Sequence, residues 1–153
     1  MKQRKLSHNL YLGVDGGGTK THAVLINDEK TILGEGFSGA SNPLRVGIQT
    51  ATNNILTAIN KACDSADRSR GDIVSAEVGL GGVRREDLRY LIKNEISQSL
   101  RIKKVVVTTD AEIALYAATE GKEGLVIIAG TGSICMGRDA KGEIASARLF
   151  LKI

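Results

Sequence analysis

Carboxylates and glycines stand at the ends of short apolar runs in this chain, in a pattern suited to phosphate chemistry. Asp15 follows the run 10–14 and precedes Gly16, Gly17, Gly18, Thr19 and Lys20. Glycines leave no Cβ in the way and permit left-handed backbone. Successive amides of such a turn can converge on one anion as a nest. The Thr19 hydroxyl adds a donor to the same place, and Lys20 adds a cation. A second glycine turn, Gly130, Thr131, Gly132 and Ser133, follows the apolar run 125–128. Two such turns facing each other can hold a polyphosphate from both sides. Asp15 beside a phosphate can hold Mg²⁺ through water, because Mg²⁺ keeps much of its hydration shell. Taken alone, the same residue serves equally as a cap for its own turn.

Two further residues have a functional and a plainer reading. Asp110 stands where an apolar run gives way to a helical pattern, and ligands of open α/β sheets collect at such strand ends. A carboxylate there can take the proton of an attacking hydroxyl during phosphoryl transfer. The plainer reading, a helix N-cap, is favoured by the local sequence. Asn42, in Ala40-Ser41-Asn42-Pro43, can offer its amide to sugar hydroxyls, although a turn explains it better locally. His8 and His22 have no partner at ligand spacing. The first glycine segment is not a Walker A loop. Thr19 precedes Lys20 instead of following it, and strand character follows where a P-loop opens a helix.

These residues need elements to hold them. The runs 10–14, 20–26 and 31–37 read as strands joined by turns of about four residues, an antiparallel meander. From Gly47 to Ala66 the period changes: Ile48, Ala51, Ile55, Ile59 and Ala62 recur at helical spacing. A strand over 73–80 ends in Gly79, Gly81 and Gly82. A helix marked by Leu88, Leu91, Ile92 and Ile96 follows, with Glu86 and Asp87 near its positive end. Val105-Val106-Val107 is apolar throughout, as a buried parallel strand should be. Thr108-Thr109-Asp110 caps a third helix that runs through Ala118, since Thr and Asp are favoured N-cap residues. After a polar hinge at 119–124 the opening pattern returns: strand, glycine turn, strand, then an acidic turn at 139–142. We read this as an internal repeat whose second copy is cut short. The organisation is a basic tail over 1–9, a first lobe over 10–120 and the start of a second lobe over 124–153. The fold class is α/β, a mixed sheet in the order βββαβαβα.

Bulk properties exclude several classes of function. The chain has 153 residues, 42% of them hydrophobic and 25% charged, as in a globular chain. Aromatics make up 3% with no Trp, so the core must be aliphatic, and the stacking platforms of single-strand nucleic-acid binders are missing. Three basic residues in the first five account for much of the net charge of +4. No apolar run nears the ~20 residues of a membrane helix, and the start lacks the apolar stretch of a signal peptide. The expectation is a cytoplasmic protein that binds neither nucleic acid nor membrane. Cys63 and Cys135 show no metal-site spacing and read as small buried apolar residues.

Taken together, the motifs are similar to those of a known group. The segment 12–21 resembles the first phosphate motif of the N-acetylglucosamine kinase branch of the BadF/BadG/BcrA/BcrD ATPase family. Ser41-Asn42-Pro43 resembles its sugar loop, Thr108-Thr109-Asp110-Ala111 the segment with its catalytic Asp, and 128–133 its second phosphate motif. The resemblance implies a ribonuclease-H-like fold, as in actin-like ATPases, whose two lobes close on MgATP and a sugar. It implies that Asp110 deprotonates the sugar hydroxyl and that Asn42 contacts the sugar. Gly16 to Lys20 and Gly130 to Ser133 would contact phosphates, and Asp15 would position Mg²⁺.

The substrate expected is N-acetylglucosamine or a related amino sugar. The family's Gly-Gly-Trp-Gly and Asp-Glu-Gly-Ser region is due soon after Gly142, where Ala147-Arg148-Leu149-Phe150 stands instead. The expectation is therefore a truncated or frameshifted chain, weakly active or inactive alone. Two rival readings stay open. One is the ATPase activator of 2-hydroxyacyl-CoA dehydratases and benzoyl-CoA reductases, although the Cys-Ala-Ala-Gly-Thr-Gly pattern is missing near Cys135. The other is a non-catalytic sugar- or phosphate-binding module. Pairing of two copies into a homodimer, through the edge near Ile153, also stays open.

Overall fold

A computed structural model describes residues 9–129 and 133–149. The opening meander is formed by β1 (Leu10–Gly16), β2 (Thr21–Ile26) and β3 (Ile32–Ser38). Antiparallel pairing sets Asp15 opposite His22 and Gly16 opposite Thr21, then His22 opposite Phe37. The loop after β3 leads into a single helical turn, α1 (Pro43–Val46), and a long helix, α2 (Ile48–Ala66). β4 (Ile73–Leu80) runs parallel to β1 and sets Asp15 beside Gly79. α3 (Glu86–Leu100) carries the chain back to β5 (Val105–Thr109), beside β4. The Ala76 amide donates to the Lys104 carbonyl there. The sheet order is β3-β2-β1-β4-β5. The meander and the βα crossovers both stand where sequence periodicity put them.

Alternation along β1 explains the layers. Leu10, Leu12 and Val14 are buried while Gly13 and Asp15 are exposed, as period-2 side-chain placement requires. The buried face joins Ala23 and Leu25 of β2 and Val78 and Leu80 of β4 to Ile55, Ala58, Ile59 and Ala62 of α2. The helical residues fall three and four apart, which makes one apolar stripe. Ile92, Ile96 and Leu100 of α3 complete this aliphatic core. Cys63 lies in it and Cys135 does not. The sequence reading expects both thiols buried, but Cys135 is only half-buried, outside this core.

The chain packs as two compact units that divide between Thr108 and Thr109. The second contains α4 (Asp110–Thr119), β6 (Gly124–Ile128), β7 (Ser133–Arg138) and β8 (Ile144–Leu149). Its strands form a second antiparallel meander in sequence order. The small core is Ala111 and Leu115 of α4 against Met136, with Val126 and Ile134 beside it. Leu125 and Ile127 are largely exposed. No described helix is long and apolar enough to cross a membrane.

Candidate functional site

The hairpin turn between β1 and β2 is Gly17-Gly18-Thr19-Lys20, closed by the Gly17 amide donating to the Lys20 carbonyl at 3.0 Å. Its backbone is held from two sides. The Gly16 carbonyl accepts from the Gly81 amide at 2.8 Å, just beyond β4. The Gly17 carbonyl accepts from the Ser41 amide at 2.9 Å and the Asn42 amide at 3.0 Å. The amides of Gly18 and Thr19 donate to nothing among the described residues, so the turn presents two free donors at the strand end.

The glycines do not work as the nest reading expects. None of Gly16, Gly17 and Gly18 has positive φ, so the left-handed residue of a nest is absent. The demand on glycine is steric instead. A Cβ on Gly16 would overlap the Ser41 hydroxyl and come within 2.5 Å of Leu80 Cδ2. A Cβ on Gly18 would lie 2.5 Å from Arg45 Nη1. Gly17 is different: a Cβ there would meet nothing within 4 Å. No described residue packs there in a way that asks for glycine. Open space above a glycine backbone is where a ligand can come close.

The loop 39–42 is pinned to the same turn. Thr21, fully buried, donates to the Gly39 carbonyl at 2.6 Å and shares a 2.7 Å hydrogen bond with the Ser41 hydroxyl. Asn54 of α2 donates to the Ala40 carbonyl at 2.6 Å. Asn42 is the N-cap of α1: its Oδ1 accepts from the Leu44 amide at 3.0 Å, with Pro43 at the first helical position. The plainer reading of Asn42 as a turn residue therefore holds for Oδ1. Its Nδ2 donates to nothing among the described residues. Gly82, at φ 84°, packs on the Asn42 amide so closely that a Cβ would collide with Oδ1. Gly81, Gly82 and Arg45 are the site neighbours that sequence reasoning missed. The double glycine after β4 was the available signal, while Arg45 gave none.

Asp15 is exposed on the open face of the sheet, opposite the core. Its carboxylate accepts no hydrogen bond from a described residue, so the cap reading of this residue does not hold. An exposed, unpaired carboxylate at a strand end fits a water-mediated Mg²⁺ ion, which needs an oxygen donor with room for a hydration shell. His22, its cross-strand neighbour, does have a partner. Nε2 lies 2.7 Å from Glu35 Oε2, and the ring stacks on Phe37 at 4.3 Å. That pairing crosses strands and leaves no trace in sequence spacing.

Asp110 opens α4, directly after β5. It is not the N-cap that local sequence favours. Thr109 caps the helix: its Oγ1 accepts from the Glu112 amide at 3.2 Å, and Glu112 Oε2 accepts from the Thr109 amide at 2.8 Å. This capping box leaves Asp110 at the first helical position, exposed, where among the described residues only the adjacent Ala111 amide donates to it, to Oδ1 at 2.9 Å. Ser133 begins β7 and is half-buried. Gly130, Thr131 and Gly132 lie outside the described residues. The structure thus gathers Asp15, Gly16 to Lys20 and Asn42 within the first unit, while Asp110 and Ser133 belong to the second.

A three-stranded meander continued by βα crossovers in the order β3-β2-β1-β4-β5, followed by a second meander, is the ribonuclease-H-like arrangement of actin-like ATPases and sugar kinases. The solved structure of a Chromobacterium violaceum protein assigned as an N-acetylglucosamine kinase superposes with a TM-score of 0.75 at 28% identity. The match covers 92% of this chain and 49% of that one. Within this class the chain belongs to the BadF/BadG/BcrA/BcrD ATPase family, whose family model matches residues 12–149. It is 32% identical over 134 residues to an N-acetylmuramic acid/N-acetylglucosamine kinase of Clostridium acetobutylicum, covering 88% of this chain and 44% of that protein. It is 33% identical over 127 residues to a glucosamine kinase of Vibrio cholerae, covering 82% of this chain and 42% of that protein. The chain therefore spans under half the length of the curated relatives it matches.

Proposed function

We propose that this chain supplies the first-lobe half of an ATP-dependent amino-sugar kinase, with N-acetylglucosamine or a close relative as acceptor. The observation that carries the reading is the β1–β2 turn. It combines an unpaired carboxylate, two free amides and an uncrowded glycine, and one carbonyl ties it to the loop of Asn42. Family membership and the names of the relatives point to the same chemistry.

In this reading the Gly18 and Thr19 amides, the Thr19 hydroxyl and Lys20 hold phosphate oxygens. Gly130 to Ser133 contact phosphate oxygens as well. Asp15 would hold Mg²⁺ through water, and the ion would supply neutralisation of charge on the phosphate oxygens. Asn42 Nδ2 donates to a sugar hydroxyl. Asp110 accepts the proton of the attacking hydroxyl as its oxygen bonds to the γ-phosphorus. The bond from that phosphorus to the β–γ bridging oxygen breaks, and ADP leaves with the electron pair. A base at a helix start whose cap is supplied by Thr109 is free for this role.

ADP release with MgATP and a panel of amino sugars tests the reading, on this chain and on a longer form carrying a second lobe. In the longer form Asp110→Asn is expected to lower kcat by about a hundredfold or more, the scale of a positioned general base, while sugar affinity stays within a few-fold. Turnover that survives the change rejects Asp110 as the base.

A further inference from the structure

The side chain of Arg45 lies across the phosphate turn, and neither sequence nor family reasoning assigns it a role. Its Nη1 is the atom nearest to where a Cβ on Gly18 would stand, at 2.5 Å, with its Cδ at 3.3 Å. Glycine at 18 is what lets the guanidinium rest there. Arg45 is exposed and forms no ion pair or hydrogen bond through its side chain among the described residues. Its backbone is fixed: its amide donates to the Asn42 carbonyl at 3.0 Å, and the Gly47 amide closes the turn onto Pro43 at 3.0 Å. Asn42 caps the helical turn on which Arg45 stands. The planar guanidinium thus lies beside the turn whose Gly18 and Thr19 amides are free among the described residues.

We infer that Arg45 is an oxyanion-binding residue of this site, resting on the kinase reading above. An arginine fork beside free amides matches the geometry of phosphate and carboxylate oxygens. That anion has two chemical sources: the terminal phosphate of the nucleotide, or a carboxylate carried by an acidic amino-sugar acceptor. Arg45 in the second case selects between acceptors, because a neutral sugar leaves the guanidinium unused.

Calorimetric titration of the 153-residue chain separates the sources. The probes are MgAMP-PNP, N-acetylglucosamine and N-acetylmuramic acid, the last two differing by a carboxylate-bearing ether. Arg45→Ala is expected to weaken one anionic probe about tenfold to a hundredfold, the scale of a charge-assisted hydrogen bond, and to leave N-acetylglucosamine unchanged. Arg45→Lys, which keeps the charge and loses the fork, is expected to fall between. Loss confined to MgAMP-PNP assigns the phosphate, and loss confined to N-acetylmuramic acid assigns the carboxylate. Equal affinity of wild type and Arg45→Ala for both anions, or an equal loss for the neutral sugar, overturns the inference while the kinase reading stands. A wild-type chain that binds none of the three probes overturns both.

Discussion

Three adjacent glycines meet three different demands. Gly16 is sterically locked between Ser41 and Leu80, Gly18 lies under Arg45, and Gly17 faces open space. Substitution should therefore separate stability from binding. Gly16→Ala is expected to destabilise the fold by ~1–3 kcal/mol through overpacking, read by chemical denaturation. Gly17→Ala meets no clash and no positive φ, so it is expected to leave stability unchanged or raise it by ~0.4–1 kcal/mol. Its cost should appear in MgAMP-PNP affinity. If Gly17→Ala binds nucleotide as the wild type does, the open space over that residue is not a phosphate position.

At the scale of elements, the decisive feature is how α4 begins. Thr109 and Glu112 satisfy each other's amides, which fixes the helix start without using Asp110. Thr109→Ala removes the cap and is expected to cost about 1 kcal/mol, seen as a lower denaturation midpoint. Thr109→Ser, which keeps the hydroxyl, is expected to restore most of it. Equal stability of the alanine variant would return the capping role to Asp110 and weaken its claim as a base. The hairpin and the loop 39–42 work in the same way. Thr21 and Asn54 carry the loop, so Asn42 spends Oδ1 on α1 and keeps Nδ2.

At the scale of the whole molecule, the two units bury unequal cores. Cys63 is 3% exposed within the aliphatic core of the first, and burial pushes its thiol above the ordinary range. Since the folded thiol holds its proton longer than the unfolded one, stability is expected to decline as pH rises past the unfolded thiol's pKa of about 8.5. In a Cys135→Ser variant, iodoacetamide is expected to modify Cys63 at pH 8 only as fast as the core opens. In a Cys63→Ser variant, half-buried Cys135 is expected to react faster. Equal rates would show that the first core opens as readily as the second.

Sequence alone determined the periodic elements. The apolar run 10–14 and the helical recurrence of Ile48, Ala51, Ile55 and Ile59 are local consequences of backbone geometry, and the structure carries them with ends shifted by one or two residues. Glycine turns and the Asp110 strand end were legible for the same reason, since their residue types mark strand ends wherever they occur. Tertiary structure decided how those residues are used. Whether a glycine serves conformation or clearance depends on Ser41, Leu80 and Arg45, which reach it from other elements. Whether a carboxylate is free depends on which neighbour takes the cap. The Glu35 contact of His22 and the Arg45 contact of Gly18 arise only when distant segments are packed together, and no local spacing encodes that distance.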